Sequence, residues 1–286
     1  MYAFEYHRPT SLRQAATLVA KFGDAKILAG GHTLLPTMKQ RLAAPASLID
    51  LSQVAELRGI ERSARSVTIG AMATHAEVAN STEVREAIPG LAEMAEQIGD
   101  PHVRNRGTIG GSIANNDPSA DYPAACLALG AVIATNKRKI AADLFFKGLF
   151  ETALEEDEIV TRVSFPIPSK AAYTKFRNPA SRYALVGVFV AKRASDIRVA
   201  VTGAGSNGVF RVPEMEQALA KRFAAKSLDG ITVAADGLNS DIHADAAYRA
   251  HLIGVMARRA VATATGRSTS ISDLASAAAS AIGLQS

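Results

Sequence analysis

The order of apolar segments predicts an α+β fold. Strands and helices alternate irregularly instead of in a regular βαβ array. After Pro166 and Pro168 the composition shifts to strand upon strand: AAYTKFR, ALVGVFVAKR and IRVAVTGAG. The 286 residues, 48% hydrophobic and 21% charged, can fill one large domain or two to three small ones.

The elements follow in order. Ser11–Phe22 reads as a helix capped by Ser11, with Gln14 completing a capping box and Gly23 as its stop. Leu12, Ala15, Ala16, Val19 and Phe22 share its apolar face. AKILAGG (25–31) is a buried strand running into glycines. SLIDL (47–51) and SVTIGAMAT (66–74) are further strands. Helical stretches follow near 75–80 and 83–98, broken at Ser81-Thr82. TIGGSIA (108–114) looks like a strand sliding into a tight bend, inside an exposed loop. A helix near 119–129 and a strand at 131–135 come next. Helices near 213–223 and 244–263 close the chain, the last with a stripe of Tyr248, Leu252, Val255 and Met256. The Ala/Ser-rich tail to Ser286 is expected not to be rigid. No internal repeat is present.

Composition excludes several classes. No apolar run approaches the ~18–20 residues of a membrane span, and MYAFEYHRPT lacks the order of a signal peptide. The single cysteine, Cys126, excludes an intrachain disulfide framework and an iron–sulfur cluster held by four cysteines of this chain. It points to a reducing compartment. It lies on an apolar helix face and reads as inert core. The net charge is +5. The basic runs Arg104–Arg106 and Lys137–Lys139 carry no interleaved aromatics, so nucleic acid is not expected. They read as solvated charge or as rim contacts for a partner.

Two glycine turns stand out. In ILAGGHTLL (27–35) a strand ends at Ala29, and the N–H groups of Gly30, Gly31, His32 and Thr33 can form an anion-binding nest. TIGGS (108–112) repeats the ingredients. Facing each other, the two can cradle one diphosphate, with Ser112, Asn115 and Asp121 beside it for ribityl or sugar hydroxyls. Each turn alone is weak evidence, and neither is a GxGxxG or GxxxxGK[ST] motif.

Together, AGGHTLLP (29–36) and RNRGTIGGSIANNDPSADYP (104–123) resemble the FAD-binding medium subunits of the molybdenum hydroxylases, most of all the carbon monoxide dehydrogenase medium-chain branch. FEYHRPTSLRQA, LIDL, TIGAMATHAEV, DEIVTRVSFPIP and YRAHLIGVMARRAV extend the likeness over almost the whole chain. The resemblance implies a two-lobed FAD-binding unit of the vanillyl-alcohol-oxidase type, lobes 1–55 and 56–168. A small α+β flavoprotein C-terminal domain, 169–286, follows it. It implies that Leu28, Ala29, Gly30, Gly31, His32, Thr33 and Leu34 wrap the diphosphate. Thr108, Gly111, Ser112, Asn115 and Asp121 then line the diphosphate and ribityl chain. Ile98 and Gly99 lie near the flavin, Ile159 and Val160 flank the adenine or its linker, Tyr183 lies beside the isoalloxazine, and Arg177, on the same run, faces the flavin's pyrimidine side.

The resemblance further implies non-covalent FAD, with molybdenum cofactor on a large partner and 2Fe-2S clusters on a small one. The assembly would be a dimer of heterotrimers passing electrons to quinone, NAD or oxygen. The location would be cytoplasmic, extending to the inner membrane face through the complex. No catalytic residue and no metal ligand is assigned in this chain. Some residues keep a second reading: His32 as a covalent flavin anchor, Asp121 as a helix cap, Tyr183 as a core tyrosine. Two other functions stay open, a self-contained flavin oxidase using His75 or His102 as base, and a flavin-free assembly protein. The substrate of the complex is left open among carbon monoxide, purines, nicotine and other N-heterocycles.

Overall fold

The computed structural model describes residues 1–266; the Ala/Ser-rich tail lies outside the described residues. Three sheets organise the rest. The first is parallel, in the order β1 (Glu5–His7), β3 (Ser47–Asp50), β2 (Ala25–Leu28). Between its strands run α1 (Leu12–Lys21) and α2 (Leu34–Lys39). Ser11 caps α1 by accepting from Gln14 N–H at 3.3 Å. The Gln14 side chain reaches Thr10 N–H at 3.0 Å instead of closing the expected box on Ser11. The core under this sheet joins Ala15, Val19 and Ile49 to Met72 and Ile159, so the first two units share apolar packing.

The second sheet holds β4 (Ile60–Arg62), β5 (Ser66–Gly70), β6 (Val132–Thr135), β7 (Lys139–Ala141) and β10 (Val160–Pro166), in the antiparallel order β4-β5-β10-β6-β7. Its helices are α3 (His75–Asn80), α4 (Thr82–Ala87), α5 (Pro89–Glu96), α6 (Pro101–Arg104), α7 (Ile109–Asn115), α8 (Tyr122–Leu129) and α9 (Ala142–Phe145). A small hairpin, β8 (Phe146–Gly148) and β9 (Glu151–Thr152), is attached. Three expectations are corrected. The strand at 66–74 stops at Gly70, because Thr74 and Glu77 form a complete capping box that starts α3. The helix at 83–98 divides at Ile88-Pro89, since proline opens α5. TIGGSIA is a helix: Thr108 Oγ accepts from Gly111 N–H at 3.1 Å and caps α7.

The third sheet is an antiparallel meander of β11 (Lys170–Arg177), β12 (Ala184–Arg193), β13 (Asp196–Thr202) and β14 (Phe210–Arg211). α10 (Pro213–Lys221) and α11 (Ala246–Ala264) complete it. Val186, Val188 and Val190 pack with Leu252, Met256 and Ala257 of α11. Phe189 and Ala191, on the other side, pack into the core of the second unit. Burial on both faces explains why β12 is apolar without alternation.

A buried polar cluster holds the second and third units together. Lys175 Nζ lies 3.0 Å from Asp121 Oδ1, with side-chain exposures of 1% and 4%. Tyr173 donates its hydroxyl to the same carboxylate, and Lys175 also donates to Gln97 O at 3.1 Å. Thr202 Oγ donates to Ala120 O, and Gly203 N–H to Pro118 O. Burial drives the Asp121 carboxyl upward, and Lys175 works against that. The basic run 137–139 is largely consumed internally: Lys137 pairs with Glu155 and Asp157, and Arg138 with Glu158.

Two predictions follow from this packing. Lys175→Met strands a buried carboxylate and should lower stability by about 3–5 kcal/mol, read as a urea midpoint shift. Adding Asp121→Asn should cost less than the sum of the two single changes. Separately, Arg138 holds the fully buried Glu158 carboxyl down at about 2. A depressed carboxylate stabilises in full above its unfolded pKa, and that contribution is lost as the pH falls from there toward 2. Glu158→Gln should thus cost about 2 kcal/mol at neutral pH, allowing for the exposed Arg138. Urea melts at pH 7 and pH 3.5 should show the gap to the parent narrowing in acid.

Candidate cofactor site

The two glycine turns meet. β2 ends at Leu28, the chain turns through Ala29–Thr33, and α2 begins at Leu34. Gly31 sits at φ +75°, a conformation that side chains disfavour. A Cβ on Gly30 would collide with the carbonyl of Arg106 and lie 2.8 Å from Gly107 Cα. The first turn therefore rests directly on the backbone that leads into α7. Across the same junction, a Cβ on Gly111 would lie 3.6 Å from Ala29 Cβ. The main-chain N–H groups of Gly30, Gly31, His32 and Thr33 donate to no main-chain acceptor among the described residues. Adjacent unpaired amides with little side-chain cover form a nest for an anion.

The other residues expected here fall into three groups. Gly111, Ser112 and Asn115 are half-buried on α7, while Thr108 is buried and uses its hydroxyl as the cap. Asp121 does not cap α8, because its carboxylate turns to Tyr173 and Lys175. Tyr183 is 49% exposed. Partial burial raises its phenol, and the charges of Asp117 and Asp121 add to the shift. Ile98 and Gly99 form a turn whose carbonyls accept from Arg104 Nη1 at 3.1 and 2.9 Å. Arg182 Nη1, from the Tyr183 loop, reaches Gly99 O at 3.3 Å. Arg177 is exposed at the end of β11, beyond a bulge. Leu28 and Leu34 are half-buried beside the nest, and His32 is exposed, its Nδ1 3.3 Å from Gly30 O.

Ile159 and Val160 are buried wall. Ile159 gives its N–H and carbonyl to Asn136 and its side chain to the shared core, so it has no polar group free for a ligand. Neither candidate base is placed for substrate chemistry. His75 is 5% exposed and packs against Gly107. Burial, with the charges of His32 and Arg104, pushes its imidazole down to about 4. His102 is exposed on α6. Cys126 is fully buried, and burial pushes its thiol up, which leaves it inert. Among the described residues no cluster of histidine, cysteine or carboxylate groups could hold a metal.

Four residues at this site were not legible as functional: Tyr173, Lys175, Arg104 and Arg182. Period-two spacing puts Tyr173 and Lys175 on the inward face of β11, and that inward lysine is the available signal. A cleft of about 490 Å³ opens at the junction of the two turns, lined by Ala29, Arg106 and Thr108 and, beyond them, by Arg58, Glu77 and Asn80. It shares only Ala29 and Thr108 with the residues expected at the nest.

Two glycine turns in backbone contact, the first with open amides, suit the diphosphate of a dinucleotide cofactor. The model of the FAD binding domain in molybdopterin dehydrogenase matches residues 2–168, and the chain belongs to that family. It is an FAD-binding oxidoreductase subunit of the medium-chain type. It is 38% identical over 280 residues to the carbon monoxide dehydrogenase medium chain of Hydrogenophaga pseudoflava, covering 92% of this chain and 98% of that one. It is 37% identical over 287 residues to the nicotine 6-hydroxylase medium subunit of Paenarthrobacter nicotinovorans, covering 93% and 98%. The solved carbon monoxide dehydrogenase of H. pseudoflava lacking the Mo-pyranopterin moiety superposes with a TM-score of 0.83 at 36% identity, over 93% of this chain and 98% of that one. Quinoline 2-oxidoreductase of Pseudomonas putida 86 gives 0.80 at 30% identity, over the same shares.

The nest makes a direct prediction. Gly111→Asp adds a carboxylate where only Thr108 Oγ, at 3.0 Å, and Ala29 lie near the new Cβ. Like charges ~4 Å apart oppose each other by roughly 4 kcal/mol at a surface-like dielectric. FAD affinity should fall at least ~10²-fold, or about 2.7 kcal/mol, in a flavin fluorescence titration, with the fold retained by circular dichroism.

Proposed function

We propose that this chain is the flavin electron-transfer subunit of a three-component molybdenum hydroxylase. The observation that carries this reading is the pair of glycine turns in backbone contact, with the amides of Gly30–Thr33 open, while those of Ile109–Ser112 are taken up by Ala73, Ala71 and the Thr108 cap. In this proposal the amides of Gly30–Thr33, together with Leu28, Ala29 and Leu34, hold the FAD diphosphate without a covalent bond. Thr108, Gly111, Ser112, Asn115 and Asp121 line the diphosphate and ribityl chain. Ile98, Arg177 and Tyr183 border the isoalloxazine, and Ile159 and Val160 form apolar wall toward the adenine. Lys175 neutralises Asp121 and fixes the orientation of its oxygens. The units are 1–55 and 56–168 as the two lobes and 169–286 as the C-terminal domain.

Bound FAD supplies the step between one- and two-electron chemistry. The chain supplies anchoring, a wall against water and a fixed carboxylate. The partners are a large molybdenum-containing subunit and a small 2Fe-2S subunit, assembled as a dimer of heterotrimers, with an external quinone, NAD or oxygen as acceptor. Medium-chain relatives matched over their full length support this division, as does the single cysteine. No helix among the described residues is long and apolar enough to cross a membrane. A cytoplasmic site of action, reaching the inner membrane face through the complex, is part of the same reading.

The test is anaerobic. Denaturing the loaded chain should release unmodified FAD. Absorbance near ~450 nm, the flavin's own redox signal, should bleach with the complex's substrate only after both partner subunits are added. Bleaching by the chain alone would overturn the proposal in favour of a self-contained oxidase.

A further inference from the structure

His75 lies directly beneath the turn that carries the second glycine motif. Its main-chain N–H donates to Gly107 O at 3.0 Å, and Thr74 and Thr108 pair in an isolated antiparallel bridge. The ring is as close as the backbone. A Cβ on Gly107 would lie 2.6 Å from His75 Nε2 and 2.8 Å from Cδ2. On the far side of Gly107 stands Gly30, whose Cβ would lie 2.8 Å from Gly107 Cα. Gly30, Gly107 and the imidazole are thus stacked with no side chain between them. The other side of the ring rests on Tyr122 of α8, with centroids 5.4 Å apart.

The ring makes no hydrogen bond to use its polarity. Nδ1 is buried without a partner, and so is the Tyr122 hydroxyl. No protein hydrogen bond orients the ring, so its place is set by packing between Gly107 and Tyr122. What the ring provides is thickness.

We infer that His75 is a positioning residue: its ring is the spacer that sets the height of the 106–108 turn, and thereby the width of the cradle between Gly30–Thr33 and Gly111–Ser112. The inference rests on the FAD reading above. It also accounts for glycine at 107, where a methyl group would compete with the ring for the same space.

Flavin fluorescence titration and visible circular dichroism of the full chain test it. His75→Ala should raise the FAD Kd at least ~10-fold and alter the circular dichroism of bound flavin, since small misplacements carry large effects. His75→Leu fills similar volume without nitrogen and should stay within ~3-fold of the parent. Gly107→Ala alone should weaken binding at least ~10-fold, yet add less than ~3-fold in the His75→Ala background, because the vacated ring space accepts the methyl. If His75→Ala does not fold, His75→Val replaces it in each comparison. Equal losses in the Leu and Ala variants, or independent multiplication of the Gly107 and His75 effects, would overturn the spacer role. A parent chain that binds no FAD would instead refute the cofactor reading itself.

Discussion

Much of this molecule depends on one buried ion pair. Asp121 ends the loop that follows α7, and Lys175 lies in the middle of β11 in another unit. Isolated in an apolar interior, either charge would be costly, and each is tolerated because the other is there. Tyr173 completes the set, and it reaches the carboxylate through space that Gly187 leaves open on the neighbouring strand. Thr202 and Gly203 then hold the carbonyls of Ala120 and Pro118. The loop from Asn115 to Asp121 is consequently fixed at both ends, by the α7 helix on one side and by the third sheet on the other.

The second organising constraint is steric. The turns that the resemblance assigned to the diphosphate do not merely face one another; their backbones touch. That contact is possible because Gly30 presents no Cβ to the Arg106 carbonyl and Gly107 Cα, while the missing Cβ of Gly107 makes room for the His75 ring on its other side. Packing density, rather than any specific polar bond, sets the spacing of the two motifs.

The sequence made the architecture legible where periodicity was strong. Of the stripe read on α11, Leu252 and Met256 are buried and Val255 is half-buried, while Tyr248 at the start of the helix is exposed; the uniform apolar run of β12 follows from burial on both faces. It misled where short-range chemistry won over pattern. TIGGSIA reads as a strand because Ile109 and Ile113 are spaced among small residues, yet the cap by Thr108 makes it helical. β10 passed unnoticed as the central strand of the second sheet, since Thr161, Arg162 and Ser164 interrupt its apolar residues. The glycine turns were legible because they have no side chains to explain them otherwise. Tyr173, Lys175 and Arg182 were not, because their roles depend on contacts with residues more than fifty positions away that no local pattern encodes.

The packing of Phe189, Ala191, Ala200 and Tyr173 inside the core of the second unit has an evolutionary side. The recognisable family segment closes at residue 168, but the hydrophobic interior does not close there. A gene fragment cut at that point would encode both glycine turns wrapped around an open core. The unit of inheritance that a lineage can shuffle, fuse or lose is therefore larger than the motif by which it is recognised. The meander strands that fill that core belong to the same folding unit as the segment before them.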